Sequence, residues 1–265
     1  MKKCIRRISF LPVSPAALTA FLLAAILALL LLPGTAVSAA AKTIVPKQET
    51  AYNIDNGSKS LSWKIKYQYD KKGRIKNETE TAGNETAVTT YQYNKKGNLK
   101  SWIRKVNGAN DIKEVVSYKK NKKVREQDYL WNPGTKTWQK SDYYTYKISK
   151  KKSVMDCFNA SGKLLYRSVD KYNKKGLIIS TSDTDYDEAT GAVSQTVQHS
   201  CKYNKKGLVT SETYTYTYSD GTVSTSRTTY KYSKFYKGNK KYPRETKIYE
   251  DGVLTQQIVT SYKKV

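Results

Sequence analysis

Apolar residues fall along this chain in two patterns. From Leu18 to Leu32 they form a single run, broken only by Thr19. Beyond residue 42 no stretch keeps a helical period. Aromatic and aliphatic residues are instead interleaved with Thr, Ser and Gln in short segments such as Ala87–Tyr93 and Ser211–Tyr218. Tyr, Thr, Val and Ile at this density favour strands. Glycines at near-constant intervals separate the segments. The pattern predicts an all-β chain: a long antiparallel meander of repeated hairpins, about fifteen strands in all. A sheet of that length does not stay flat. A curled or spiral sheet, partly closed, is expected.

One turn recurs. Tyr-Gln-Tyr-Asp-Lys-Lys-Gly-Arg at 67–74 returns as Tyr-Gln-Tyr-Asn-Lys-Lys-Gly-Asn at 91–98, and as Lys-Tyr-Asn-Lys-Lys-Gly-Leu at 171–177 and 202–208. Degenerate copies occupy 118–123, 146–152, 232–241 and 262–264. A recurring turn of this kind marks an array. Asn-Lys-Lys-Gly fits a type I turn closed by a left-handed glycine, with the Asp or Asn side chain bonding the turn backbone. That geometry sets the register. Asp70 should face Arg74, and Tyr69, Tyr93, Tyr172 and Tyr203 should face Ile75, Leu99, Ile178 and Val209. The repeated aromatic–aliphatic pair defines the buried face.

The intervening turns read differently: Val-Asn-Gly at 106–108, Asn-Ala-Ser-Gly at 159–162, Asp-Glu-Ala-Thr-Gly at 187–191, Ser-Asp-Gly at 219–221 and Glu-Asp-Gly at 250–252. They are neutral or acidic. Alternate turns of a meander lie on opposite edges, so lysine should collect on one edge only.

The ends divide the chain further. Residues 1–40 read as a secretory signal: Lys2, Lys3, Arg6 and Arg7, then the apolar run, then small residues around Val37-Ser38-Ala39. Residues 41–59 read as a polar leader, and 60–265 as the hairpin domain. The formal charge is +26. Removing the four cations of the signal leaves +22 (26 − 4). Such a protein gathers anionic partners.

Tyr-Gln-Tyr-Asp-Lys-Lys-Gly-Arg-Ile at 67–75 resembles the YD repeat of the RHS-type proteins, which centres on Tyr-x-Tyr-Asp, two variable residues, Gly-Arg and an aliphatic residue. Only Asp70 and Arg74 keep the signature pair. The resemblance implies strips of β-hairpins on an exported or surface protein; the toxin-delivery role of that family is not carried over.

Several groups could carry chemistry. The lysines of the repeated turns, Lys71, Lys72, Lys95, Lys96, Lys119, Lys120, Lys122, Lys123, Lys150, Lys151, Lys152, Lys174, Lys175, Lys205 and Lys206, would form a ladder. Its rungs stand two strands, ~9.5 Å, apart. That is close to the Debye length of ~8 Å, so neighbouring rungs act together on a polyanion. Asp183, Asp185 and Asp187 would place three carboxylates on one strand face and resemble the opening of a calcium loop, but Glu188 and Ser194 stand where its glycine and terminal glutamate belong. His199 is the single histidine, so no His-rich metal site is expected, and no metal or cofactor is assigned. Cys157 and Cys201 should lie about three strands, ~14 Å, apart, too far to pair. A Cys201–His199 couple has no evident third group to orient it, which argues against an enzyme.

The reading is therefore a secreted or cell-surface, non-enzymatic protein that binds an anionic cell-wall polymer, an acidic glycan or an anionic membrane surface through its lysine edge. Nucleic acid would be bound only non-specifically, and no small-molecule substrate is inferred. The alternatives are a structural or adhesive protein-interaction module and a half-barrel carrier of an apolar ligand.

Overall fold

The computed structural model describes residues 43–265; the segment read as a signal, 1–40, lies outside the described residues. The chain forms sixteen strands: β1 Ile44–Asp55, β2 Ser58–Tyr69, β3 Ile75–Ala82, β4 Glu85–Tyr93, β5 Leu99–Val106, β6 Ala109–Lys119, β7 Lys122–Asn132, β8 Thr137–Ile148, β9 Lys152–Phe158, β10 Leu164–Tyr172, β11 Ile178–Tyr186, β12 Val193–Tyr203, β13 Val209–Tyr218, β14 Val223–Phe235, β15 Pro243–Glu250 and β16 Val253–Lys264. Each pairs antiparallel with its neighbours in sequence, and β1 pairs with β16 from Ile44–Lys264 to Asn53–Gln256. The meander is a closed barrel.

Closure corrects two expectations. Residues 41–59 are not a leader, because β1 and the start of β2 lie there and β1 is the strand that seals the barrel. There is also no half-barrel with an open concave face. Full closure satisfies every strand edge, which an open sheet of this length cannot do.

The turn chemistry sets the register as expected. Tyr69 pairs with Ile75, Tyr93 with Leu99, Tyr172 with Ile178 and Tyr203 with Val209. One step further each hairpin slips by a residue: Gln68 meets Asn77, Gln92 meets Ser101, Lys171 meets Ser180 and Lys202 meets Ser211. The skipped residues are Lys76, Lys100, Ile179 and Thr210. A bulge reverses the in–out alternation beyond it. Glu78, Trp102, Asp183 and Glu212 therefore face inward, where uninterrupted alternation would have pointed them out.

The two faces of the wall have opposite chemistry. Along β2, Trp63, Ile65 and Tyr67 are buried inside the barrel, while Lys64, Lys66 and Gln68 point outward. The inner face also buries Ala51, Tyr144, Ile248 and Ile258, and beside them Glu49, Glu78, Glu114, Glu126, Asp128 and Glu212. The outer face carries Lys113, Arg125, Lys140, Lys171, Arg227 and Lys247 among threonines and serines. A lipid-facing barrel shows an apolar band outside; this wall is basic and polar at mid-strand.

Candidate functional site

The turns joining even to odd strands all open on one rim, together with the paired termini Thr43 and Val265. Four of them share one geometry. In the first, the Gly73 amide donates to the Asp70 carbonyl at 3.0 Å, and Asp70 Oδ1 accepts from the Lys72 and Arg74 amides at 2.9 and 3.0 Å. Gly73 takes φ +75°, which a side chain would resist. Asp70 is also ion-paired to Arg74 at 2.5 Å. Asn94, Asn173 and Asn204 repeat the arrangement without the charge. The two lysines occupy the turn corners, and the side chains of Lys71, Lys72, Lys95, Lys96, Lys174, Lys175, Lys205 and Lys206 are exposed.

The β6–β7 turn is tighter, with Lys120 and Asn121 both at positive φ. Lys119, Lys120, Lys122, Lys150, Lys151 and Lys152 are exposed on the same rim. Lys123 is the exception. It folds inward to Glu126 at 3.0 Å and lies over the Tyr146 ring. The β14–β15 loop adds exposed Lys237, Lys240 and Lys241, so the lysine stations run around the rim as a ring rather than along an edge. The other rim carries Asp187, Glu188, Asp220 and Asp251.

Inside the barrel the Tyr-x-Tyr motif explains itself. In three copies the second tyrosine donates to a backbone carbonyl near the preceding bulge: Tyr69 to Pro46 at 2.6 Å, Tyr93 to Ile75 at 2.7 Å, Tyr232 to Val209 at 2.6 Å. The first tyrosine donates to the carboxylate three residues after that carbonyl: Tyr67 to Glu49 at 2.6 Å, Tyr91 to Glu78 and Tyr230 to Glu212. Burial pushes the Glu49 and Glu78 carboxyls above their ordinary range, although the tyrosine hydroxyls oppose the shift. These tyrosines are structural, as the cross-strand pairing suggested.

In the β12 copy the first tyrosine is replaced. Tyr203 still donates to the Ile178 carbonyl at 2.7 Å, but Cys201 stands where Tyr67, Tyr91 and Tyr230 stand elsewhere. Its thiol faces Glu212 across the β12–β13 hairpin. His199 Nε2 lies 3.2 Å from Cys201 Sγ and 3.2 Å from Glu212 Oε1, and Sγ lies 3.6 Å from that same oxygen. The His199 ring stacks on Tyr214, centroids 4.2 Å apart. Burial and the facing Glu212 carboxylate push the Cys201 thiol up to about 12. Burial alone would raise Glu212, yet the hydrogen bonds from His199 and Tyr230 and the His199 charge bring it below its ordinary range.

Glu212 is the third group that the sequence did not reveal. Uninterrupted register from Tyr203–Val209 would put Ser211 opposite Cys201; the bulge at Thr210 brings Glu212 there instead. Cys201 carries a free thiol and does not pair with Cys157. The three aspartates are not brought together. Asp183 and Asp185 lie on β11, while Asp187 sits in the exposed turn and accepts from Thr190. Burial pushes the Asp183 carboxyl up, whereas the Thr190 hydrogen bonds hold Asp187 down.

These features define a closed sixteen-stranded antiparallel barrel with a basic, polar outer wall at mid-strand, a cationic rim and a carboxylate-rich interior. No family model matches the chain, and no curated protein matches it. Among solved structures it is similar to a porin-like protein from Bacteroides vulgatus, at 12% identity and TM-score 0.43, covering 81% of this chain and 97% of that one. A porin-like protein from Bacteroides uniformis is similar at 11% identity and TM-score 0.38, covering 82% and 96%. A Bacteroides fragilis protein of unknown function is similar at 10% and TM-score 0.30, covering 50% and 86%.

Proposed function

We propose that the protein is an exported, non-enzymatic binding module that seats its lysine rim on an anionic cell-wall, glycan or lipid surface. The observation that supports this is the segregation of charge in the turns: the repeated lysine pairs share one rim, whose turns hold a single carboxylate side chain, Asp70, paired to Arg74, while Asp187, Glu188, Asp220 and Asp251 stand at the other rim. Successive stations are two strands, ~9.5 Å, apart, close to the Debye length of ~8 Å, so neighbouring stations act together. Closure changes what suits them. A straight polymer touches only an arc of a ring, whereas a flat anionic layer meets every station. The opposite charge of the far rim orients the barrel on approach. Closure also removes the free sheet edge through which a protein-interaction module would add strands.

The test is retention of residues 43–265 on anionic and neutral surfaces across a salt gradient. Changing Lys71, Lys72, Lys95, Lys96, Lys174, Lys175, Lys205 and Lys206 to Gln should abolish most anionic retention and flatten its salt slope. Neutralising an equal number of outer-wall lysines, Lys66, Lys105 and Lys140 among them, should lower it only as net charge requires. Equal losses in the two variants would reject the rim as the binding surface.

A further inference from the structure

We propose that His199, Cys201 and Glu212 form a binding site for a borderline divalent cation, Zn2+ first among them, inside the barrel wall. Nitrogen, sulfur and oxygen donors from two adjacent strands converge here, and the ligand atoms of all three lie within 4.8 Å of one another. The distances fit the ion. With Zn–S near ~2.3 Å and Zn–N and Zn–O near ~2.0 Å, tetrahedral ligands stand ~3.3 Å apart for N and O and ~3.5 Å apart for pairs with sulfur. The observed separations are 3.2 Å from Nε2 to Oε1, 3.2 Å from Nε2 to Sγ and 3.6 Å from Sγ to Oε1. An ion can enter with shifts of a few tenths of an ångström.

The surroundings hold the donors in place. Stacking on Tyr214 fixes the plane of the His199 ring. Tyr230 donates to Glu212 Oε2, leaving Oε1 for the cation. Such partners orient ligands in metal sites generally. The trio also departs from the repeat where it needs to, since Cys201 occupies the slot that tyrosine fills in the Glu49, Glu78 and Glu212 copies. Thiolate and imidazole together select zinc, cobalt, nickel or copper over magnesium and calcium. On binding, the Cys201 S–H proton leaves to solvent as the Zn–S bond forms, and the proton on His199 Nε2 that faces Glu212 gives way to the Zn–N bond. Thiolate and carboxylate then neutralise the dication, and the fourth position is left to water.

The experiment uses residues 43–265, which form the complete barrel. Titration with Zn2+ should show one saturable site with release of at least one proton. Co2+ should give a near-ultraviolet thiolate-to-cobalt charge-transfer band, displaced by Zn2+ and not by Ca2+. Tyr230→Phe should weaken Zn2+ about 10-fold; His199→Ala and Cys201→Ser should weaken it further, and Cys201→Ser should abolish the band. In the unmodified protein, where no variant has to fold, Zn2+ should slow alkylation of Cys201. Any one of three results overturns the site: no saturable binding, no thiolate band, or unchanged alkylation of Cys201 under saturating Zn2+.

Discussion

Glu49 and Glu212 hold the same place in two copies of one hairpin design. Each follows by three residues a carbonyl that accepts a tyrosine hydroxyl, Pro46 in one case and Val209 in the other. Each is buried, and each accepts a second tyrosine, Tyr67 or Tyr230. Yet burial drives Glu49 upward, while Glu212 is brought down by hydrogen bonds and charge from His199 and Tyr230 that outweigh its burial. The difference lies one strand away. Glu212 faces Cys201 and His199, whereas Glu49 faces Ile65 and Thr260. The repeat supplies a slot for a carboxylate; the facing strand decides which way that carboxylate's pKa moves.

The largest effect should come from erasing that difference. His199→Ala removes the hydrogen bond to Glu212 and the stack on Tyr214. It should cost about 2–3 kcal/mol in urea unfolding at neutral pH, the scale of a hydrogen bond to a charged group plus an aromatic contact. It should also carry the Glu212 carboxyl up into the range of Glu49, read by carboxyl NMR titration. If Glu212 still titrates low in this variant, His199 is not the cause of the contrast.

Much of this contrast was hidden from the sequence, and the reason is physical. Local turn chemistry is legible: Asp70 or Asn94, two lysines and a left-handed glycine fix a register that holds at all four tyrosine–aliphatic pairs. The lysine stations and their single rim follow from turn order. What lies one bulge away does not. No turn residue announces the slips at Lys76, Lys100, Ile179 and Thr210, and each reverses which side chains point inward. Glu212 was missed for that reason. Closure depends on pairs such as Gln48 with Ser261, far apart in sequence. β1 also reads as polar because it buries little beyond Glu49 and Ala51. Lys123 was misplaced because its partner, Glu126, faces inward and draws its ammonium off the rim.

A smaller effect compares the tyrosines. Tyr67→Phe leaves a buried carboxyl without the donor that meets it and should cost about 1–2 kcal/mol. Tyr230→Phe removes the equivalent hydroxyl from Glu212, which keeps its His199 partner, and should cost about half as much. Matched urea midpoints at one pH measure both. A larger loss at Tyr230 would reverse the order and show that Tyr230, rather than His199, dominates the Glu212 environment.

The subtlest prediction concerns sign. A carboxyl whose folded pKa is raised, as at Glu49, contributes stability that is fully present below its unfolded value near ~4.3 and is lost as pH rises through the folded value. At neutral pH Glu49 is thus a liability. Glu49→Gln, which still accepts from Tyr67, should stabilise the barrel by about 1 kcal/mol at pH 7, with the gain vanishing below about pH 4. Glu212 runs the other way. Its folded pKa is lowered, so its contribution is present above the unfolded value and is lost as pH falls through the folded one. Glu212→Gln should therefore destabilise at pH 7 by about 1 kcal/mol, and the deficit should close on acidification. Thermal midpoints of the two variants against the parent, taken from pH 7 to pH 4, should start on opposite sides of zero and converge. Two curves on the same side of zero would mean that the facing strand does not set the charge state of the repeated carboxylate.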